Sequence, residues 1–311
     1  FMPIPAVMLF MDYWPLNRMK STALSAGEAR KRFLLLLLEK TPLFALVFGF
    51  AVLDYFTQIS IGALGSSETY PFAGRVANAA NSYLVFLWKA VWPTGLAACY
   101  PYPALPWSRT VASVALLVAM TIAVILCRKR LPYVFVGWFW YGLVLSPVIG
   151  LLVQIGNSSR GDRYAYLSMI GIFMAAAWAL GALARRSRRI AAGVCAAIAI
   201  ALCGYAVAAH FQVRHWACSE TLFRHAIAVT KDNYMAYEFL GKTLVDEGRY
   251  DEAEAAFMES LRITPHLVEA RNNLGSLLYA NGRYAEAHEH FADALQSSPR
   301  DPDVLNNMGL A

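Results

Sequence analysis

Runs of about 18 or more apolar residues are long enough to cross the hydrocarbon core of a bilayer as helices. Five such runs occur in this chain, at about 42–61, 109–127, 133–153, 164–184 and 190–210. Residues 1–16 have the character of the end of a further span that begins upstream. Residues 17–210 therefore read as a multi-pass membrane domain, and the apolar runs cease at about 210. Between the first and second full spans lies Tyr83-Leu84-Val85-Phe86-Leu87-Trp88-Lys89-Ala90-Val91-Trp92-Pro93, followed by Tyr100-Pro101-Tyr102-Pro103. A short, aromatic-rich stretch with one lysine and a terminal proline suits the membrane interface better than a crossing, so a helix over about 81–93 is expected to lie flat there. A plain aromatic belt that only anchors the protein is the alternative.

The pattern changes character after residue 210. Shifting the sequence by 34 positions superposes Leu240/Leu274/Met308, Gly241/Gly275/Gly309, Gly248/Gly282, Tyr250/Tyr284, Ala253/Ala287, Phe257/Phe291, Leu261/Leu295 and Pro265/Pro299. These columns resemble the tetratricopeptide repeat (TPR), a pair of antiparallel helices. Gly241 and Ala253 allow the two helices to approach, Tyr250 and Phe257 fill the space between turns, and Pro265 stops the second helix. Residues 211–311 are thus expected to form an α-solenoid, with repeats at 234–267 and 268–301 and a partial one from 302. Trp216 to Lys231 resembles a lone second helix. The whole chain is expected to be all-α, a transmembrane helix bundle followed by the solenoid.

Composition agrees with this division: 58% of the 311 residues are hydrophobic and 15% charged, too apolar for an ordinary soluble domain. Residues 1–210 carry 18 Lys and Arg against 6 acids, whereas 211–311 carry 9 against 15. The positive residues sit in short clusters beside apolar runs, which topology explains better than nucleic-acid binding. The clusters are Arg128-Lys129-Arg130, Arg185-Arg186-Ser187-Arg188-Arg189 and segment 17–41, with Arg18, Lys20, Arg30, Lys31, Arg32 and Lys40 against Glu28 and Glu39. Short positive loops stay in the cytoplasm. Placing all three there needs an even number of crossings between them, and the spans supply two each time. Segments 62–108 and 154–163, and everything after 210, are then expected on the extracytoplasmic face.

Five cysteines without a CxxC pair predict free thiols. The chain opens at Phe1 without a cleavable signal pattern and stops at Ala311 inside a repeat, which reads as a fragment.

Ionisable residues at membrane depth are costly and tend to be functional. Arg163, in Gly161-Asp162-Arg163-Tyr164-Ala165-Tyr166-Leu167, heads a span, where a guanidinium fork would grip a lipid-linked phosphate. Asp162 would orient that guanidinium and Lys89 would add a second positive charge; the alternative is an Asp–Arg pair that caps a helix. Asp54, near the outer end of its span, is a candidate general base, although a lone carboxylate more often bonds to a neighbouring helix. Asp12, in Met11-Asp12-Tyr13-Trp14-Pro15, is expected to be structural. On the repeats, Asn272-Asn273-Leu274-Gly275 and Asn306-Asn307-Met308-Gly309 look like the asparagine ladder of peptide-binding TPR superhelices, whose amides donate and accept along an extended backbone. Phe239 departs from that pattern, and plain repeat consensus is the alternative. A protein or peptide on the concave face is the expected partner.

His288 and His290, two apart on a helix, point in different directions and make a poor metal pair. Asn157-Ser158-Ser159 fits a glycosylation acceptor, a triplet common by chance. The sequence contains no Gly-rich phosphate loop, HExxH, GxSxG or zinc spacing, and no metal ligand set is assigned.

The order of elements, together with Leu9-Phe10-Met11-Asp12-Tyr13-Trp14-Pro15-Leu16, the stretch from Tyr83 to Pro101, Asp162-Arg163-Tyr164-Ala165-Tyr166-Leu167 and Trp216 ahead of the repeats, resembles the transmembrane-and-TPR-containing O-mannosyltransferases and their bacterial relatives, multi-pass proteins of GT-C type. The resemblance implies transfer of a sugar, mannose in the named family, from a polyprenyl-phosphate donor to a protein or glycan hydroxyl on the outer face of a membrane, the expected one being a bacterial inner membrane. It implies a carboxylate base that takes the acceptor proton while phosphate leaves. In that family type the base sits in the first outer loop, which here would precede Phe1, so the fragment alone is expected to be inactive. No further cofactor is evident, and the need for a divalent metal stays open. The competing classes are a non-catalytic membrane-anchored TPR scaffold for an envelope complex and a transporter or ligase of lipid-linked glycans.

Overall fold

The computed structural model describes residues 4–19, 26–60, 71–103, 105–151 and 158–310. Parts of the expected remnant at 1–16, of segment 17–41, of the outer segment 62–108, of span 133–153 and of the Asn157 triplet lie outside the described residues. All regular structure among the described residues is helical: α1 (Ile4–Tyr13), α2 (Ala26–Ser60), α3 (Phe72–Val91), α4 (Trp107–Cys127), α5 (Pro132–Leu145), a 3₁₀ turn (Asp162–Tyr164), α6 (Ala165–Ala184), α7 (Arg188–Arg214), α8 (Ser219–Val229), α9 (Tyr234–Asp246), α10 (Tyr250–Ile263), α11 (Val268–Ala280), α12 (Tyr284–Ser297) and α13 (Pro302–Leu310). The chain divides into two compact units. One comprises Phe1–Pro93 with Tyr102–Tyr205, the other Thr94–Pro101 with Ala206–Ala311.

Among the described residues four helices are long and apolar enough to cross a membrane: Gly27–Ser60, Trp107–Cys127, Asp162–Ala184 and Arg188–Arg214. Their surfaces are largely uncovered by protein, as lipid-facing helices require. Three features differ from the sequence expectation. First, the cationic residues Arg30, Lys31 and Arg32 do not lie in a loop ahead of a span, because α2 is one helix of 35 residues, with Pro42 inside it. The leucine run Leu34 to Leu38 is strongly helix-forming, and nothing before Pro42 breaks it. Second, the run expected to span 133–153 forms only the 14-residue α5. At 1.5 Å per residue that is about 21 Å, short of a hydrocarbon core of about 30 Å. Pro147 explains the stop, since it has no N–H to donate to the Leu143 carbonyl one turn back, whereas Ser146 before it still donates to the Gly142 carbonyl at 3.1 Å. Third, α3 begins at Phe72 rather than near 81 and buries a polar stripe of Asn78, Asn81 and Ser82 beside Phe86. An interfacial helix held only by its aromatic residues would not bury that stripe.

The first unit is centred on α3, α5 and α6. Tyr83 donates to the Gly142 carbonyl at 2.9 Å while Tyr141 donates to the Tyr83 carbonyl at 2.6 Å, a reciprocal pair that satisfies the hydroxyls of the partly buried Tyr83 and the buried Tyr141. Helices α5 and α6 meet at Gly137 and Gly171, where a Cβ on Gly137 would stand 2.4 Å from the Gly171 carbonyl oxygen and one on Gly171 2.6 Å from that of Gly137. Small residues let backbones approach this closely in membrane bundles. Asp12, 1% exposed, pairs with the buried Lys40 and with Arg18, which also clasps Glu39 through two bonds of 3.1 and 2.7 Å. Each buried charge in this network has an opposite one beside it, which fits the structural role expected for Asp12.

The second unit stacks α8 to α13 as antiparallel helices. Gly241 faces the Phe257 ring and Gly275 the Phe291 ring, with added Cβ atoms at 2.6 and 2.7 Å. Gly248 and Gly282 hold φ of +75° and +77°, the left-handed geometry that ends a helix and favours glycine. The 34-residue period extends to charges. Arg249 bonds Glu252 and reaches back to Glu220, as Arg283 bonds Glu286 and reaches back to Glu254. Exposed pairs of this kind contribute about 0–1 kcal/mol each. Their effect is to key successive helix pairs to a common spacing.

Candidate functional site

Two clusters carry the residues singled out from the sequence. In the first unit, the 3₁₀ turn Asp162–Tyr164 sits at the entry to α6, with the Tyr164 N–H bonded to the Gly161 carbonyl at 3.0 Å. It brings Asp162 to Lys89 near the end of α3, 73 residues earlier; the lysine Nζ lies 3.0 and 3.1 Å from the two carboxylate oxygens. The pair is largely covered, with 12% and 21% of the two side chains exposed. The arrangement therefore differs from the one expected, in which Asp162 orients Arg163. Asp162 grips Lys89 instead, and the exposed Arg163 turns to Tyr164, its guanidinium carbon 5.2 Å from the ring centroid and one terminal nitrogen 3.4 Å from the hydroxyl. The reason is geometric, because neighbouring residues of a tight turn diverge whereas α3 presents an ammonium directly opposite. Asn78, also on α3, anchors the approach to this turn by donating to the Ser159 carbonyl at 2.7 Å. Chemically the cluster offers a neutralised Lys–Asp pair beside a solvent-facing guanidinium.

Asp54 is half-buried on α2 and accepts a 3.4 Å bond from Gln58 one turn later. This is the local amide contact of a carboxylate rather than the strong partner that tunes a general base. A cavity of about 360 Å³ lies elsewhere in this unit, lined by Phe10, Tyr83, Leu117, Trp138 and Phe139 among others. Its lining is overwhelmingly apolar and contains none of the charged candidates.

In the second unit, Asn272 and Asn273 lie on α11 and Asn306 and Asn307 on α13, the first helices of successive pairs. They are tied across repeats. Asn273 donates to Glu238 of α9 at 2.8 Å, and Asn307 donates to Asn272 at 2.9 Å and to Ser276 at 3.3 Å. The Asn273 and Asn307 amides thus bond one pair back, which fixes their orientation and commits part of their hydrogen-bonding capacity inside the solenoid. Glu238 was not singled out from the sequence, although it occupies the same 34-residue column as Asn272 and Asn306. It is 6% exposed, and burial raises its carboxyl above the ordinary range, with the Glu269 charge adding to the effect and Lys242 and Asn273 opposing it. The column alignment held the signal, but a lone Glu in an Asn column reads as drift until the Asn273 contact is seen.

His290 is partly covered, and burial, with the nearby Arg271, lowers its imidazole below the usual value. Among the described residues no three His, Cys, Asp or Glu side chains converge as metal ligands. The five cysteines are free thiols, Cys99 buried and the others exposed.

Residues 206–268 and 240–303 match the family model described as tetratricopeptide repeat. Comparison of the chain with curated proteins gives no match. Such repeats generally mediate protein–protein interaction. The C-terminal part of this chain is an α-solenoid of tetratricopeptide repeats, and among the described residues four of the helices that precede it are long and apolar enough to cross a membrane.

Proposed function

We propose that this chain gathers an extended polypeptide at a membrane, with the concave wall of the solenoid as the capture surface. The observation that supports it is the column of amides. Asn273 and Asn307 spend N–H groups on Glu238, Asn272 and Ser276, which leaves their carbonyl oxygens and the Asn272 amino group oriented for a bound backbone. Such a wall reads peptide groups rather than side chains. Fluorescein-labelled, unstructured Ser/Thr-rich peptides are therefore expected to bind the full chain in nanodiscs, with scrambled sequences binding alike. The paired change Asn273→Ala and Asn307→Ala is expected to weaken binding by about tenfold, the worth of one or two net hydrogen bonds. Unchanged affinity in that variant, measured by anisotropy, would remove the amides from the role.

A second reading gives the membrane unit a chemical part. We propose that it transfers a sugar from a polyprenyl-phosphate donor to a hydroxyl on the captured polypeptide, on the extracytoplasmic face, an orientation that requires the run 133–153 to cross although its helix α5 ends at Leu145. Support comes from the resemblance in element order and from Lys89, Asp162 and Arg163 gathered at one helix entry, with the guanidinium exposed for a phosphate. The Lys–Asp pair would then hold the turn, and Arg163 would meet the ligand. In intact cells, native Cys218 is expected to react with an impermeant thiol reagent from outside and Cys127 is not. Arg163→Ala is expected to cut transfer by about a hundredfold, as loss of a charged bond to phosphate does, with membrane insertion intact. Reversed labelling would overturn the orientation. Undiminished transfer in Arg163→Ala would remove Arg163 from the role, and absence of transfer in the parent protein would leave the non-catalytic scaffold as the surviving reading.

A further inference from the structure

A stack of repeats leaves an apolar face uncovered at its first helices, and something other than a repeat must cover it. Here that face is made by Ala226 on α8 and by Met235 and Ala236 on α9, none more than 7% exposed. What buries them is Thr94–Pro101, a stretch without regular secondary structure that belongs to the solenoid's compact unit although more than a hundred residues separate the two in sequence.

The stretch is held as a bound peptide is held, through its backbone. The Leu96 carbonyl accepts from Gln212 at 3.3 Å and lies 3.1 Å from a ring nitrogen of His225. The Cys99 carbonyl accepts from the Asn233 amide at 3.1 Å. Asn233 is itself fully buried; it donates to Thr230 at 2.8 Å and caps α9 by accepting from the Ala236 N–H at 3.1 Å. One side chain thus ties the strap to the first residues of the repeat array. The strap is shaped for the site by its own turn, in which the Tyr100 hydroxyl accepts from the Ala97 N–H at 2.7 Å and donates to the Gly95 carbonyl at 3.1 Å. Gly95, at φ +63°, supplies a backbone geometry that other residues rarely adopt. The side chains turned onto the helices, Ala97 and Cys99, are small enough to bring these carbonyls within reach.

We propose that Thr94–Pro101 is the N-terminal cap of the solenoid, a peptide bound in cis that stands where a preceding helix would stand. The order of α8 and α9 then depends on a loop whose two ends run into α3 and α4. Burial supports this independently of the bonds, since it pushes the Cys99 thiol up to about 11, away from the reactive thiolate.

The test uses the full chain in nanodiscs with Cys127, Cys195 and Cys203 replaced by alanine, so that Cys218 serves as the exposed reference. With a water-soluble maleimide, Cys99 is expected to react at least about tenfold more slowly than Cys218. Ala97→Arg lies outside both helices and is expected to bring Cys99 close to the Cys218 rate. It is also expected to raise deuterium uptake across 219–246 while leaving 284–297 unchanged. Where the arginine is accommodated, replacing 96–100 by a Gly/Ser run removes the Ala97, Cys99 and Tyr100 side chains, and with Tyr100 the turn that positions the carbonyls, and is expected to raise deuterium uptake across 219–246 in the same way. Equal thiol rates in the parent chain would overturn the cap, as would unaltered uptake in 219–246 with the Gly/Ser strap.

Discussion

Gly137→Leu is expected to destabilise the first unit by about 3 kcal/mol or more, the upper end of overpacking costs, or to prevent its folded form from accumulating. At most sites an added methyl displaces a flexible side chain, which yields. Here the first atom beyond Cα meets the Gly171 carbonyl at 2.4 Å, with the Ala175 Cβ at 2.9 Å, so a backbone must move. Moving it parts α5 from α6 and pulls on the Trp140 indole, which donates to the Leu167 carbonyl at 2.9 Å across the same seam. Gly181 provides the control, because nothing lies within 4 Å of its added Cβ. Thermal unfolding of detergent-solubilised protein is expected to show a large drop in Tm for Gly137→Leu and little change for Gly181→Leu. Equal midpoints would mean that the two helices do not cross at these glycines.

Phe257→Ala is expected to cost the solenoid about 3–5 kcal/mol, the range for truncating a buried aromatic residue. Phe257 is 1% exposed and packs against Gly241 within the α9–α10 pair and against the core shared with α11. Contacts in a solenoid are nearest-neighbour, so the loss propagates to both adjoining pairs rather than staying local. A loss of that size is a large fraction of the 5–15 kcal/mol that typically holds a domain together. Hydrogen exchange on the full chain is expected to lose protection from α9 through α11 while α5 and α6 keep theirs. Coupling can be read from a second change. Gly241→Ala alone drives a methyl into the ring, whereas in a Phe257→Leu background the same methyl has room and is expected to cost measurably less. Additive effects of the two changes would deny the contact.

The exposed charge pairs deserve a different weight from these buried contacts. Arg249 and Arg283 each bond two or more glutamates, yet the pairs stand largely in solvent and are screened there. The aromatic–glycine contacts set the stability of the repeats, and the ion pairs set how one helix pair follows the next.

By itself the sequence determined the helices and the period. Apolar runs and a 34-residue repeat are local signals, produced by what each helix must bury or expose, and Gly241, Phe257 and Gly248 carry their packing reason within one repeat length. The length of α5 was less legible, since an apolar run does not show where Pro147 ends the helix. Only the tertiary structure decided which distant groups meet. Lys89 finds Asp162 across 73 residues, Gly137 meets Gly171, and Asn233 holds a strap 134 residues away at Cys99. Hydropathy assigns each of these residues to a helix or a loop and is silent on partners. A pairing depends on where two helices come to lie in space, and that is set by the packing of all of them together.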